Sequence, residues 1–385
     1  MKCGHYLFAA FAAMPSLALA AGNNFNPDIA LILSGTYGDF ERDPEDYAIP
    51  GFPLAEETGP GEAGFSLGES ELSLSANVDP DWYGLLTLAL TGDGSAEVEN
   101  AFVQTTSLGE GLTVRAGRFF SGIGYLNEQH AHTWDFVDAP LAYRAMLGNQ
   151  LGDDGLQMRW LAPTDLFLEL GAEWLRGDAF PAGGSDNEGR GTWSAFFHLG
   201  DDLNESHSWR AGLFSYLNAK SADRETASEF GDDLFTGDSD LVLADFVWKW
   251  APDGNGYDRN FKFQAEYIQR KDDGEFTPAE ADTLPLDITS EGWYLQAIYQ
   301  FTHGWRVGLR HSELQMDDPG ADYAGTVLDT QGHDPSTSSL MVDYSNSEYS
   351  RLRLQYNHDD STDETDNQWL LQYQMSLGAH GAHSF

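Results

Sequence analysis

Two histidines lie close together in the chain and could bind a metal ion. His130 and His132 are separated by one residue, and Glu128 and Asp135 stand beside them. Imidazole nitrogens and carboxylate oxygens are ligands that Zn²⁺ commonly takes from proteins. The same pattern is typical of loop histidines that only form hydrogen bonds with acids or solvent. A zinc site at His130 and His132 is therefore one of two interpretations.

Acidic side chains are concentrated in runs between the apolar segments. The runs 232–240 and 359–364 are rich in Asp and Glu, and two further histidines, His380 and His383, stand near the end of the chain. Carboxylates could hold Ca²⁺ or Mg²⁺, although the 232–240 run lacks the glycine and glutamate spacing of an EF-hand. The sequence predicts no cofactor, and it leaves Ca²⁺, Mg²⁺ or Zn²⁺ open as loop-bound ions.

Nucleophilic catalysis has little support in the sequence. A serine hydrolase needs a serine activated by a histidine and an oxyanion hole. The chain has no Gly-x-Ser-x-Gly elbow, and we predict no catalytic residue. An enzyme built on a membrane barrel is the minor alternative.

The overall charge excludes one class of partner. The formal net charge is −42, whereas binding to nucleic acid needs Lys and Arg to neutralise phosphates. An acidic chain with few aromatics would be disordered, but aromatics make up 13% of this one. We expect a folded protein that does not bind nucleic acid.

Residues 1–20 have the features of a cleaved signal peptide. Lys2 precedes an apolar stretch from Tyr6 to Leu19, and Ala18-Leu19-Ala20 supplies the small-x-small cleavage pattern. Cys3 is the one cysteine and lies within this segment, so the exported part, 21–385, has no disulfide. A closed, hydrogen-bonded barrel would supply its stability instead.

The end of the chain shows the alternation of a β-strand. Apolar side chains occupy every second position from Trp369 to Leu377, and Gln372, Gln374 and Ser376 lie between them. Successive side chains of a strand point to opposite faces, so this segment would have one apolar and one polar face.

Sixteen segments of this kind alternate with short and long connections, and the count could be 14 or 18. Strands of about ten residues, even in number, with short turns at one end and long loops at the other, are typical of a transmembrane antiparallel β-barrel. We therefore predict an all-β fold in a single barrel over 21–385. The long connections are predicted at 39–65, 120–150, 177–190, 219–238, 271–288, 317–336 and 359–367.

The same alternation assigns basic residues to the inner face of the barrel. They would line a watery channel, either as simple solvated wall or as one side of an electrostatic filter. The predicted pore-lining basic residues are Arg115, Arg159, Arg210, Lys249, Lys262, Arg306, Arg310, Arg351 and Arg353.

The third long connection, 120–150, is unusually apolar for a surface loop. Folding into the barrel would bury its side chains and narrow the pore, with Glu128, Asp135 and Asp138 as acidic residues facing the basic wall. A cap over the mouth and a contact with a neighbouring subunit are the alternatives.

Two resemblances point in the same direction. A terminal strand that closes on Phe385 resembles the last strand of bacterial outer-membrane barrel proteins. The segments 98–103 (VENAFV), 112–119 (LTVRAGRF) and 135–140 (DFVDAP) resemble the early strands and third loop of phosphate-selective-type (O/P) porins. That family implies a homotrimeric channel. Its anion-selective members line the constriction with lysines, which are scarce here, so the resemblance does not imply phosphate selectivity.

The sequence thus predicts a porin in the outer membrane of a Gram-negative bacterium, through which small hydrophilic solutes and ions diffuse. Its expected partners are outer-membrane lipid and lipopolysaccharide, the barrel assembly machinery and two further copies of itself. A metal-ion (zinc) uptake channel, or a component resembling a TonB-dependent receptor, is the alternative. Receptors of that kind need an N-terminal plug of more than about a hundred residues, and the first predicted strand begins at about residue 28.

Overall fold

The computed structural model describes residues 27–55, 58–92, 94–228, 231–279 and 281–378. The predicted signal peptide, His380, His383 and Phe385 lie outside these ranges. Within them, the helices are all too short or too polar to cross a membrane.

The described residues form one antiparallel sheet of seventeen strands and one short α-helix. The strands are β1 Asp28–Asp39, β2 Gly64–Ser66, β3 Ser70–Asn77, β4 Trp82–Leu90, β5 Ala96–Thr105, β6 Leu112–Phe120, β7 Gly152–Leu161, β8 Phe167–Leu175, β9 Thr192–Asn204, β10 His207–Ser228, β11 Gly231–Trp250, β12 Asn260–Thr277, β13 Leu284–Thr302, β14 Trp305–Met316, β15 Ser336–Ser347, β16 Ser350–Asp360 and β17 Asp366–Gly378. The helix α1 is Leu141–Leu147.

The sheet closes on itself. β17 pairs with β1 from Ala30 opposite Gly378 to Asp39 opposite Trp369. The other side of β1 pairs first with β3 and then with β2, which together occupy a single position in the wall. The result is a closed barrel of sixteen strand positions, and the predicted fold class is confirmed. Among the described strands, closure gives every position in the wall two neighbours, so the sheet has no terminal strand.

Alternate side chains of each strand face lipid and lumen. On β16, Leu352 and Leu354 point outward and are each 46% exposed, whereas Arg353 between them is 1% exposed. On β17, Leu371 and Tyr373 are outward and Gln372 is buried. Apolar residues outside and polar residues inside reverse the arrangement of a soluble protein and suit a barrel surrounded by lipid.

Two of the predicted long loops are wrong. Residues 219–228 and 231–238 belong to the β10–β11 hairpin, and most of 271–288 belongs to β12 and β13, which leave only 278–283 as their connection. Residues 67–69 separate the short strand β2 from β3. The wall is therefore much taller at β10–β13 than at β3–β8.

These segments are polar like loops, yet they form strands, and some of their charges are paired with charges on the neighbouring strand. Lys220 Nζ lies 3.7 Å from Asp238, and Lys271 Nζ lies 3.1 Å from Asp287. Inward-facing apolar residues of the tall wall, such as Phe276, pack against the 317–335 loop. Single-strand composition does not show such cross-strand partners, which contribute part of the stability of a sheet.

Candidate functional site

Residues 121–151, which connect β6 to β7, lie inside the barrel, and we call this segment the inner loop. Its side chains Ile123, Leu126 and Leu147 are at most 4% exposed and pack against wall residues such as Ile268 and Leu314. Burial of apolar surface is favourable by about 25 cal/mol per Å². The inner loop is unusually apolar because its side chains form a hydrophobic cluster with the wall inside the barrel.

The helix α1 fixes the C-terminal half of the inner loop against the wall. It follows Pro140, and it ends at Gly148, whose φ of 59° is left-handed and favours glycine. All seven helical residues are buried, and the helix contacts β12, β13 and β14. A side chain at Gly292 of β13 would press on the helix, since its Cβ would lie 3.1 Å from that of Ala142.

The acidic residues of the inner loop are bound by basic residues of the wall. Glu128 forms an ion pair with Arg159 of β7. Asp135 lies 2.5 Å from Lys262 Nζ and 2.9 Å from a guanidinium nitrogen of Arg306. Burial opposes the charge of Asp135, but the two cations outweigh it and hold the pKa of this carboxyl well below its usual range.

Asp138 is the most extensively bound residue of the inner loop. Its carboxylate accepts hydrogen bonds from Arg310 at 2.5 Å, Arg144 at 2.6 Å, Gln355 at 2.7 Å and Asn357 at 2.9 Å. Burial alone would raise its pKa, but the two guanidinium groups prevail and lower the pKa of Asp138 to about 2. The carboxylate therefore stays ionised and joins the inner loop to β14 and β16.

Further wall arginines hold the backbone of the inner loop. Arg351 donates a hydrogen bond to the carbonyl oxygen of His132, and Arg353 to that of Trp134, each at 2.8 Å. Most of the predicted pore-lining basic residues therefore bind the inner loop. Those that do so by hydrogen bonds or ion pairs are Arg159, Lys262, Arg306, Arg310, Arg351 and Arg353.

The other three predicted basic residues also lie on the inner wall. Arg115 donates two hydrogen bonds to Gln104, at 2.9 and 3.1 Å. A guanidinium nitrogen of Arg210 lies 2.9 Å from Nδ1 of His198. Lys249 lines a cavity of about 520 Å³ with Lys262 and Arg306, near the short turns.

A second cavity of the lumen lies on the opposite side of the inner loop and is acidic. It measures about 690 Å³ and extends from the inner loop to the wall formed by β1 to β6. Glu62, Glu69, Glu97 and Glu99 line it, together with Arg118. Asp138 also lines this cavity, whereas Glu128 and Asp135 line other cavities. Most of the acidic surface of the 690 Å³ cavity therefore comes from residues outside the predicted set.

None of the four glutamates was among the predicted acidic residues. A signal existed for Glu97 and Glu99, which occupy alternate positions of one strand. Glu62 lies in the long connection before β2, where no periodic pattern indicates the direction of a side chain.

A β-bulge in β5 directs two successive side chains into the lumen. Thr87 of β4 lies opposite Asn100, whereas Leu88 lies opposite Val98, so Glu99 is the additional residue. In a regular strand Glu99 and Asn100 would point to opposite faces. The bulge allows both to reach His130.

His130 and His132 are close together, as their spacing suggested, but their acidic partners are not Glu128 and Asp135. Nδ1 of His130 lies 3.0 Å from Glu99 and 3.1 Å from Glu71 of β3. His132 forms an ion pair with the same Glu71, which is 1% exposed. Burial disfavours a charge on His130, but the two carboxylates more than compensate and raise its pKa to about 10.

The chain is similar along most of its length to a protein of another bacterium. An uncharacterized protein of Aquifex aeolicus (strain VF5) is 30% identical over 396 residues, an alignment that covers 94% of this chain and 80% of that protein. No protein-family model matches the chain.

Solved structures with the same fold are outer-membrane proteins. OmpT of Vibrio cholerae, in a trimer form, has a TM-score of 0.56 at 12% identity and covers 91% of this chain and 99% of its own. The anion-selective porin of Comamonas acidovorans gives the same values. The outer-membrane channel DcaP of Acinetobacter baumannii has a TM-score of 0.54 at 15% identity, over 91% of this chain and 97% of its own.

Replacing Asp138 tests whether this carboxylate anchors the inner loop. Asp138→Asn leaves the buried guanidinium groups of Arg144 and Arg310 without their common counter-charge, a loss worth about 3–5 kcal/mol for a buried pair. We expect faster hydrogen exchange at the amides of Tyr143 and Arg144, which bond to the carbonyl of Pro140, in the refolded protein. Asp334→Asn, at an exposed position of the 317–335 loop, is the control; equal protection in both variants would contradict the anchor.

Acid should release the inner loop from its anchor at Asp138 as the pH falls from 3.8 to about 2. The pKa of Asp138 falls from its usual 3.8 to about 2 in the folded state. The stabilisation is therefore complete above 3.8 and is lost as the pH falls through about 2. We expect pepsin to spare the inner loop near the top of this window and to cut it near the bottom, whereas Asp138→Asn is cut throughout. Wild-type resistance over the whole window would refute this assignment.

Proposed function

Since the chain belongs to one family with the uncharacterized Aquifex aeolicus protein and has the fold of outer-membrane porins, we propose that it is an outer-membrane porin. Small hydrophilic solutes would diffuse through its lumen, with cations passing more readily than anions. Transport of this kind depends on pore width and electric field and involves no enzymatic step.

The observation that carries the proposal is the acidic cavity beside the inner loop. Six wall cations are engaged by the inner loop. Four of them form ion pairs with loop carboxylates, and the other two bind loop carbonyl oxygens. Glu62 and Glu97 are exposed to the cavity. A lumen enclosed by low-dielectric walls focuses the field of such carboxylates and raises the local concentration of cations.

The resemblance to phosphate-selective-type porins supports the proposal only in that both proteins would be channels. The segments 98–103 and 112–119 that carry the resemblance lie in the neighbouring strands β5 and β6, and 135–140 lies in the inner loop. The acidic cavity gives no support to phosphate as the solute, because it would repel anions. We also propose that the barrel assembly machinery inserts this protein into the outer membrane and that the barrel contacts lipopolysaccharide there.

Ion selectivity tests the proposal directly. In planar bilayers we expect the refolded protein to conduct, and a salt gradient should give a reversal potential of cation-selective sign. Glu62→Gln combined with Glu97→Gln should move that potential toward zero, because two of the cavity charges are removed. The control is Glu188→Gln with Glu364→Gln, which removes two carboxylates exposed on outer loops.

Two outcomes would overturn the proposal. A refolded barrel that never conducts would exclude a porin. An anion-selective channel, or equal reversal potentials for the cavity and control variants, would exclude a cation preference set by the cavity carboxylates.

We also propose that the channel is a homotrimer, as the family resemblance implies. The trimer form of OmpT from Vibrio cholerae shows that a barrel of this fold can assemble in that state. Chemical cross-linking of the protein in native membranes should give a ladder that ends at three chains. A ladder that stops at one chain would refute the trimer.

A further inference from the structure

Five side chains with metal-binding atoms meet at one point of the lumen wall. Glu71 contacts both histidines of the inner loop, and Glu99 contacts His130. Ligand atoms of Glu71, His130 and His132 lie within 4.8 Å of one another, as do those of Glu69, Glu71 and Glu99. These residues come from β3 and the residue that precedes it, the bulge of β5 and the inner loop, so the fold itself assembles them.

We propose that Glu71, His130 and His132, with Glu99 and Glu69 beside them, bind a divalent transition-metal ion of the Zn²⁺ class. Binding by itself does not depend on the porin proposal. If the protein is a porin, the bound ion can also be a solute that passes through the channel, and this second statement depends on the porin proposal.

The separations between the donor atoms already resemble those around a metal ion. Zn²⁺ binds nitrogen and oxygen at about 2.0–2.1 Å in a tetrahedral arrangement, which places neighbouring ligand atoms about 3.3 Å apart. Nδ1 of His130 lies 3.0 Å from Glu99 and 3.1 Å from Glu71. A cation could take the place of the protons that these groups share.

The outer shell of His130 suits a ligand role. Its Nε2 lies 2.9 Å from the side-chain amide of Asn100. An amide can present either its oxygen or its nitrogen, so Asn100 can hold the ring when Nε2 carries a proton and Nδ1 is free to bind metal. Ligating histidines almost always have such a partner on their second nitrogen. The bulge brings both the carboxylate of Glu99 and the side-chain amide of Asn100 to the ring of His130.

The position of His132 is also fixed from the wall. Its carbonyl oxygen accepts hydrogen bonds from Arg351 at 2.8 Å and from Gln374 at 3.0 Å. The histidine therefore has an anchored backbone, and the cost of ordering the loop is met before any ion arrives.

The donor set favours transition metals over Ca²⁺ and Mg²⁺. Imidazole nitrogens suit Zn²⁺, Ni²⁺ and Cu²⁺, whereas Ca²⁺ and Mg²⁺ take oxygen ligands. His132, Glu69 and Glu99 line the 690 Å³ cavity, so the cluster is in contact with the space through which solutes would pass.

Titration with Zn²⁺ alone tests the proposal. Calorimetry on the refolded full chain should show one Zn²⁺ bound per chain, with affinity reduced at least about tenfold in His130→Ala/His132→Ala and in Glu71→Gln. The control variant is His380→Ala/His383→Ala, which removes two other histidines and should bind like the wild type. Loss of Zn²⁺ binding in the control, or its retention in the first two variants, would overturn the site.

A measurement on the wild type keeps the test valid if a variant misfolds. X-ray absorption of the Zn²⁺-loaded protein should show two imidazole ligands with oxygen, and a shell of oxygen alone would overturn the proposal. Bilayer recordings separate the two hypotheses. A protein that conducts but binds no Zn²⁺ removes only this inference, whereas one that binds Zn²⁺ but does not conduct removes only the porin.

Discussion

The structure of the lumen depends on one constraint: the inner loop must satisfy its charges inside the barrel. The side chains of Asp135 and Asp138 are almost fully buried, and buried carboxylates are tolerated only with partners of opposite charge. Lys262, Arg306 and Arg310 meet them on one side of the wall. Because these pairs lie on β12 and β14, the inner loop is drawn to that side, and the 690 Å³ cavity lies on the other.

This placement determines the sign of the field in the open space. Basic residues of the wall are numerous, but the inner loop contacts most of them and supplies carboxylate partners to four. The wall formed by β1 to β6 presents Glu62, Glu69, Glu97 and Glu99 to the cavity. A basic inner wall and an acidic open cavity therefore follow from the same arrangement.

The barrel and the inner face of its strands could be predicted because a period-two pattern is local. Leu352 and Arg353 differ in exposure as their positions require. Partners across strands are not local. The polar residues around Lys220 and Asp238 therefore suggested a loop, because the sequence does not show that these two side chains pair across two strands. A bulge is likewise set by two strands together, and the sequence around Glu99 gives no sign of it. The histidines could be found from their spacing, but their carboxylate partners could not.

The two sides of the inner loop are held by different chemistry. Towards β12–β16, loop carboxylates meet guanidinium and ammonium groups, which bind protons too tightly to exchange them for a metal ion. Towards β3 and β5, loop imidazoles meet wall carboxylates, and an imidazole can exchange its proton for a metal ion. A divalent cation at Glu71 would therefore replace one kind of cross-link between loop and wall by another. The inner loop would keep its place, while the charge at the cavity wall would change.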